Sequence, residues 1–201
     1  RSPYRRTLFL DTDTCITARL DDLFQILERF QVAAAHELAR QHTRFPEIPD
    51  AFPEFNSGVV ALRMDTEVKA MLADWEKRYR ALEKKVAGDQ DVFRLTCYLS
   101  KLSLYALTPE YNCQLRQVGC VNGQVKILHG RNIDMGHADK VLNAYTGKRV
   151  FLPTVKGGIH VERYEEGTMK VWSSISLLRT RFLDRLVAPL GKLLCRMFGK
   201  P

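Results

Sequence analysis

The chain has 201 residues, enough for one domain with a sizeable core and too few for two comfortable ones. Its 45% apolar and 27% charged residues are those of a soluble globular protein, and its formal charge of +8 points to an anionic partner: a nucleotide, a nucleic acid or a membrane surface. Five widely spaced cysteines (Cys15, Cys97, Cys113, Cys120, Cys195) without a C-x-x-C pair argue against a disulfide framework and structural zinc. They fit reduced thiols in the cytoplasm, and no apolar run reaches the roughly 18 residues of a membrane span.

The first element in chain order is Thr7-Leu8-Phe9-Leu10, a short apolar run that reads as a fully buried strand of a parallel sheet. It ends on Asp11-Thr12-Asp13. Residues i and i+2 of an extended chain share a face, so both carboxylates are expected to converge at the strand's carboxyl end, where open α/β sheets bind ligands. Two carboxylates held that close repel each other unless a hard divalent cation sits between them and a substrate phosphate. D-x-D alone is a weak signal: 12 aspartates in 201 residues generate it by chance roughly 0.7 times. Its place after a buried strand carries the weight. Arg1 is not a Met, and a strand buried on both faces needs two neighbours. The domain is therefore expected to begin upstream of this chain and to leave a flank of residues 8–10 unpaired.

A helix follows over residues 20–30, with Leu23, Ile26, Leu27 and Phe30 on one face and Asp21 or Asp22 near its start. Residues 31–36 read as an apolar strand, completing a β-α-β unit. The proline-bearing stretch 37–54 reads as a long surface loop. Phe55-Asn56-Ser57-Gly58 then leads into a buried strand at Val59-Val60-Ala61-Leu62. A helix over 65–86 places Val68, Leu72, Trp75, Tyr79, Leu82 and Val86 on one stripe, read as core packing. Gly88 ends it, and Asp89-Gln90-Asp91 opens the next helix, to about Lys101. Further on come a strand at 104–107, a turn around Asn112, and a strand over 125–128 that ends at His129-Gly130-Arg131-Asn132. A helix over 135–145 and extended structure over 150–164, broken at Gly157-Gly158, complete a catalytic portion spanning 1–165. Residues 166–201 form a basic amphipathic tail. Within it Ile175, Leu178, Phe182, Leu186, Leu190, Leu193 and Met197 oppose arginines and lysines; the half before Pro189 is read as packing on the sheet, and the half past it either packs likewise or docks at a membrane surface or a partner.

Four motifs thus fall where a sheet's carboxyl edge or a helix start would place them: Asp11-Thr12-Asp13, Asn56-Ser57-Gly58, Asp89-Gln90-Asp91 and His129-Gly130-Arg131. Each has a bland reading alone, as a turn, a helix cap or a hydrogen-bonded histidine. As an ordered set the sequence resembles the nucleotide-sugar glycosyltransferases of GT-A fold, in particular the glycogenin-like and galactosyltransferase-like retaining group. That group shows an apolar strand ending in D-x-D, F-N-[ST]-G, a D-Q-D helix start, and a strand ending in a metal-binding histidine. The resemblance covers residues 5–132.

The resemblance implies an α/β fold with a mixed sheet flanked by helices, lacking its amino-terminal nucleotide-binding half. It implies a metal-dependent transfer of a hexose from a nucleoside-diphosphate sugar, a UDP-sugar above all, to an acceptor glycan, lipid or protein, with retention of configuration. Asp11, Asp13 and His129 would ligate Mn²⁺ or Mg²⁺ bridging the donor's phosphates. Asn56, with Ser57 and Gly58, would touch the donor sugar or acceptor, and Asp89 and Asp91 the sugar hydroxyls. Gln90 would lie near the reactive face of the anomeric carbon, Gly130 would admit a phosphate and Arg131 would add charge. The family's glycine followed by Lys-Pro-Trp is replaced by Gly130-Arg131-Asn132, so the phosphate clamp is expected to be built differently.

Two other classes compete. A sugar-phosphate nucleotidyltransferase shares the fold type and acidic metal site, but would show a glycine-rich basic loop ahead of the first strand. A non-catalytic basic module would bind a membrane or nucleic acid, yet the basic residues are scattered and no aromatic–basic interleaving of the RNA-binding kind is present. Metal-dependent binding of nucleoside diphosphates separates the enzymes from the module.

Overall fold

The computed structural model describes residues 2–39, 45–82, 88–154, 157–165 and 168–170. The fold is mixed α/β, with three sheets rather than one. The first contains β1 (Arg6–Leu10), β3 (Val32–His36), β4 (Phe55–Arg63) and β5 (Leu104–Leu107) in the order β1-β4-β3-β5. β3 and β5 run parallel, while β4 runs antiparallel to both β1 and β3.

This order corrects the expectation for the first strand. Among the described residues β1 pairs with β4 alone and lies at the sheet edge, and Phe9 is 49% exposed. The expected unpaired flank is present among those residues, but β1 is neither parallel to its neighbour nor buried on both faces. The strand with that character is β3, where Val32, Ala33, Ala34 and Ala35 are all buried. Its alternation sends Val32 and Ala34 into one core with Val60, Leu62 and Phe93, and Ala33 and Ala35 into another with Leu23, Leu27 and Leu107.

Helices cover both faces. α1 (Asp21–Ile26) is shorter than expected and buries Leu23 against the second core. α2 (Thr66–Arg80) starts on Asp65, whose carboxylate accepts from the Val68 N–H at 2.9 Å. Its last turn carries Lys77, Arg78 and Arg80, where cations offset the helix dipole. The expected stripe holds for Val68, Leu72 and Trp75, which face the first core with Met71. α3 (Gln90–Leu99) packs Phe93 on the Trp75 ring, centroids 4.5 Å apart. Buried Arg94 of this helix donates to the carbonyls of Pro49 and Phe52, and Ile48 is buried, so the described part of the 37–54 stretch is pinned inward rather than lying free on the surface.

The second sheet is antiparallel, β11-β10-β9-β7, and contains β7 (Gly119–Asn122), β9 (Lys148–Pro153), β10 (Ile159–Glu165) and β11 (Thr168–Lys170). β9 and β10 are the extended structure expected around Gly157-Gly158; β11 lies past residue 165 and pairs with β10. The third sheet is β2-β8-β6, from β2 (Thr14–Ile16), β8 (Ile127–His129) and β6 (Cys113–Gln114). α4 (Met135–Asn143) is capped by Asp134 and buries Ala138 and Leu142 in a core with Leu115, Leu128 and Phe151. The described cysteines Cys15, Cys97, Cys113 and Cys120 are free thiols, and no helix among the described residues is long and apolar enough to cross a membrane. The amphipathic stretch 173–201 lies outside the described residues.

Candidate metal centre

The centre forms where the first and third sheets meet. Leu10 of β1 pairs with Val59, and the Asp11 N–H donates to the Gly58 carbonyl at 2.8 Å. The chain then turns instead of staying extended: the Thr14 N–H and hydroxyl both donate to the Asp11 carbonyl, at 3.2 and 2.8 Å. The convergence of Asp11 and Asp13 therefore comes from a hydrogen-bonded turn, not from strand alternation. Thr14 stands in register with His129 across the β2–β8 pair, and the Gly130 N–H donates to the Asp13 carbonyl at 3.0 Å. Backbone pairing alone thus delivers His129 to the two aspartates.

The imidazole Nε2 lies 3.5 Å from Asp13 Oδ1 and 3.8 Å from Asp11 Oδ2. One donor atom from each of the three residues lies within 4.8 Å of the others. Ligands about 2.0–2.3 Å from one ion stand at such separations, and two carboxylates with one imidazole suit Mn²⁺ or Mg²⁺ in charge and hardness. Gly58 supplies an independent sign of fit. A Cβ there would fall 2.4 Å from His129 Cε1 and 2.7 Å from Asp11 Oδ2, so only glycine leaves the three ligands room to close over this floor.

The Phe55-Asn56-Ser57-Gly58 motif lies inside β4 rather than ahead of it, in a stretch of irregular register. Ala34 pairs with Val60 and His36 with Phe55, so two steps along β3 match five along β4. Such a bulge re-aims side chains beside a site. Asn56 Oδ1 accepts from the Gly58 N–H at 3.0 Å, and its Nδ2 donates to Glu37 at 2.8 Å. Ser57 bridges to the helix start: its N–H donates to Gln90 Oε1 and its hydroxyl to Asp89, both at 3.3 Å.

A polar cleft of about 440 Å³ opens over the centre. Asp11, Asp13, Asn56, Gln90, His129, Gly130 and Arg131 all line it, so the structure gathers seven of the eleven sequence-derived site residues there. Ser57 and Gly58 lie beneath as supports. Asp89 makes no capping bond to its helix, but it borders a neighbouring apolar groove rather than this cleft, and Asp91 lies in the first turn of α3. Partial burial, helped by the charge of Asp11, raises the Asp89 carboxyl above the usual range against the hydrogen bond from Ser57. Gly130 is held tight for packing as well, since a Cβ would meet Ile133 at 3.1 Å and Leu115 at 3.3 Å. Arg131 Nε reaches Asp13 at 3.3 Å, but its side chain is largely exposed and free to turn toward an anion.

Sequence reasoning missed Glu37, Asn112, Gln114, Arg116 and Gln117. All but Asn112 line the cleft, and Asn112 lies behind His129. Gln114 spans the bulge, donating to the His36 carbonyl and accepting from the Leu38 N–H. The only sequence signal for this group was the turn expected around Asn112, at the end of a single 3₁₀ turn, Pro109–Tyr111.

No family model and no curated protein matches the chain. Several solved structures are similar over part of it, and the chain spans a quarter to three-fifths of their lengths. The glycosyltransferase GlyE of Streptococcus pneumoniae TIGR4 is 24% identical over 57% of this chain and 27% of its own, with a TM-score of 0.38. The galactosyltransferase LgtC, solved with donor and acceptor sugar analogues, is 19% identical over 56% of this chain and 42% of its own, with a TM-score of 0.41. Mouse xyloside xylosyltransferase 1 is 21% identical over 65% of this chain and 59% of its own, also at 0.41.

Proposed function

We propose that the chain carries the metal-dependent catalytic cleft of a glycosyltransferase that moves a hexose from a nucleoside-diphosphate sugar, a UDP-sugar by sequence resemblance, to a glycan, lipid or protein acceptor. The observation that carries this reading is the closure of Asp11, Asp13 and His129 over Gly58 at the floor of a polar cleft. When bound there, Mn²⁺ or Mg²⁺ supplies Lewis-acid neutralisation of the diphosphate leaving group.

The protein's own groups divide the remaining work. Asp11 and Asp13 provide the negative charge that makes the site select a cation, and His129 adds a neutral nitrogen. Arg131 and Arg116 stand on the cleft wall, placed to meet phosphate oxygens, and Gly130 keeps the backbone low between them. Gln90 is the candidate for the reactive face of the sugar. Its amide oxygen is already held by the Ser57 N–H and its amide nitrogen by Glu54, so it enters the reaction in one orientation. By sequence resemblance alone, Asp89 and Asp91, neither of which lines the polar cleft, are proposed for the sugar hydroxyls, and Asn56 on the cleft's lining for the edge of donor or acceptor. Retention of configuration and a cytoplasmic setting belong to the same reading.

The test is calorimetric titration of UDP into the protein with Mn²⁺ and with EDTA. Binding at least about tenfold tighter with the metal, roughly 1.4 kcal/mol, is expected. Equal affinity in both buffers would refute the reading.

A further inference from the structure

We infer that Asn112 is a positioning residue for the metal centre: it fixes the tautomer of His129 so that Nε2 presents its lone pair to the cation. The inference rests on the metal-site part of the proposed function and concerns a residue that touches neither metal nor substrate.

The hydrogen-bond directions follow one another from a group with no ambiguity. The Gly58 backbone N–H can only donate, and it lies 3.0 Å from Asn56 Oδ1. That orients the Asn56 amide, whose nitrogen then donates to the Glu37 carboxylate at 2.8 Å, a group that when ionised can only accept. Two anchors thus agree on the same orientation of Asn56. Its Oδ1 also faces Asn112 at 2.8 Å, so the Asn112 group on that side is the NH₂ donor. The Asn112 oxygen must therefore point the other way, where His129 Nδ1 lies 2.9 Å off. An amide oxygen only accepts, so Nδ1 carries the proton. In the neutral ring Nε2 is left as the acceptor, aimed at Asp11 and Asp13.

Burial gives this order its force. Asn112 is 1% exposed and Asn56 8%, so water does not replace a lost partner at Asn112. With the opposite tautomer, the Nδ1 lone pair would face the Asn112 oxygen and Nε2–H would occupy the ligand direction. A histidine held by an outer partner in this way is a general feature of metal sites, and loss of the partner costs about 10–100-fold in metal affinity.

The experiment uses Mn²⁺ alone, without nucleotide, so it stands apart from the UDP titration. Long-range ¹H–¹⁵N spectra of the neutral imidazoles, assigned with His129→Ala, should show His129 protonated at Nδ1 in the metal-free wild-type chain. Asn112→Ala should move that proton toward Nε2 and weaken Mn²⁺ binding by about 10–100-fold. In the His129→Ala background the same substitution should cost nothing further, because its effect passes through the imidazole. Protonation of wild-type His129 at Nε2 overturns the inference. So does wild-type Mn²⁺ affinity in Asn112→Ala, or an equal loss with and without His129. The spectrum of the wild-type chain decides even if Asn112→Ala fails to fold. Mn²⁺ binding that depends on Asn112, beside UDP binding that ignores the metal, would uphold this inference and remove the glycosyltransferase reading alone.

Discussion

Two hollows share the β1–β4 pair and could hardly differ more. The polar cleft at its end is shaped by hydrogen bonds: Asn56 to Glu37, Gly58 and Asn112, and Asn112 to His129. The groove along its edge, about 580 Å³, is shaped by bulk, with Leu8, Phe9, Val60, Leu62, Leu72 and Trp75 in its walls. Directional bonds orient the imidazole of His129 toward the two carboxylates, and a metal site needs its ligands held to within about 0.5 Å. Apolar packing fills volume and tolerates exchange of similar side chains. Substitutions of the cleft's ligands should therefore change binding with little change in stability, those in the groove the reverse, and a substitution at the packed Gly58 floor should change both.

The largest expected effect is in the cleft. Asp13→Ala should lower Mn²⁺ affinity at least about 100-fold, since it removes a ligand outright. Its melting temperature should hold or rise in EDTA, because one of two crowded carboxylates is gone. A melting temperature that collapses with affinity would show that the cleft is structural. Gly58→Ala comes next. The added methyl must push His129 or Asp11 aside, so affinity should drop about 10–100-fold, with a folding cost of about 1–3 kcal/mol from overpacking. Unchanged Mn²⁺ binding in this variant would break the claim that the trio closes over a glycine floor.

In the groove, Trp75→Ala should cost about 2–4 kcal/mol in urea unfolding as the contact with Phe93 is lost, and leave Mn²⁺ affinity within about twofold. Trp75→Phe sharpens the point: it keeps the ring but loses the indole N–H bond to the Asp89 carbonyl (3.2 Å), for about 1 kcal/mol.

The smallest effect lies on the wall between the hollows. Because the folded chain holds Asp89 above its ordinary carboxyl value, it binds this proton more tightly than the unfolded chain. Stability contributed by this group therefore falls as pH rises from the ordinary value through the raised one. Asp89→Asn should raise the melting temperature by about 1–3 °C at pH 7 in EDTA, an amount reduced by the group's exposure, and by nothing at pH 3. A gain that persists at pH 3 would assign the effect to something other than the charge.

Much of this contrast was legible in the sequence, because its signals are local. The start of α2 near residue 65, the α2 stripe, the α3 start at Gln90 and the strand ending at His129 all come from spacing within a dozen residues. What was not legible is pairing between distant segments. That β4 inserts antiparallel between β1 and β3 depends on partners some 50 residues apart, and the two-residue β6 has no pattern to detect. Asn56-Ser57-Gly58 reads as a turn because small polar residues favour turns, yet here they lie in a bulge whose partner strand is hydrogen-bonded at His36, and just past it at Leu38, by Gln114 of another sheet. Asn112 looks like ordinary turn chemistry after Pro109. Its partners lie 56 residues before it and 17 after, so nothing near it in the sequence reveals the role.

The most direct test of the central claim is a crystal of this chain soaked in Mn²⁺ and measured at the manganese absorption edge. One anomalous peak is predicted about 2.0–2.3 Å from Asp11, Asp13 and His129 Nε2 together, above Gly58, with wild-type positions of the surrounding amides. A peak that leaves out His129, or manganese bound only elsewhere on the surface, would contradict it.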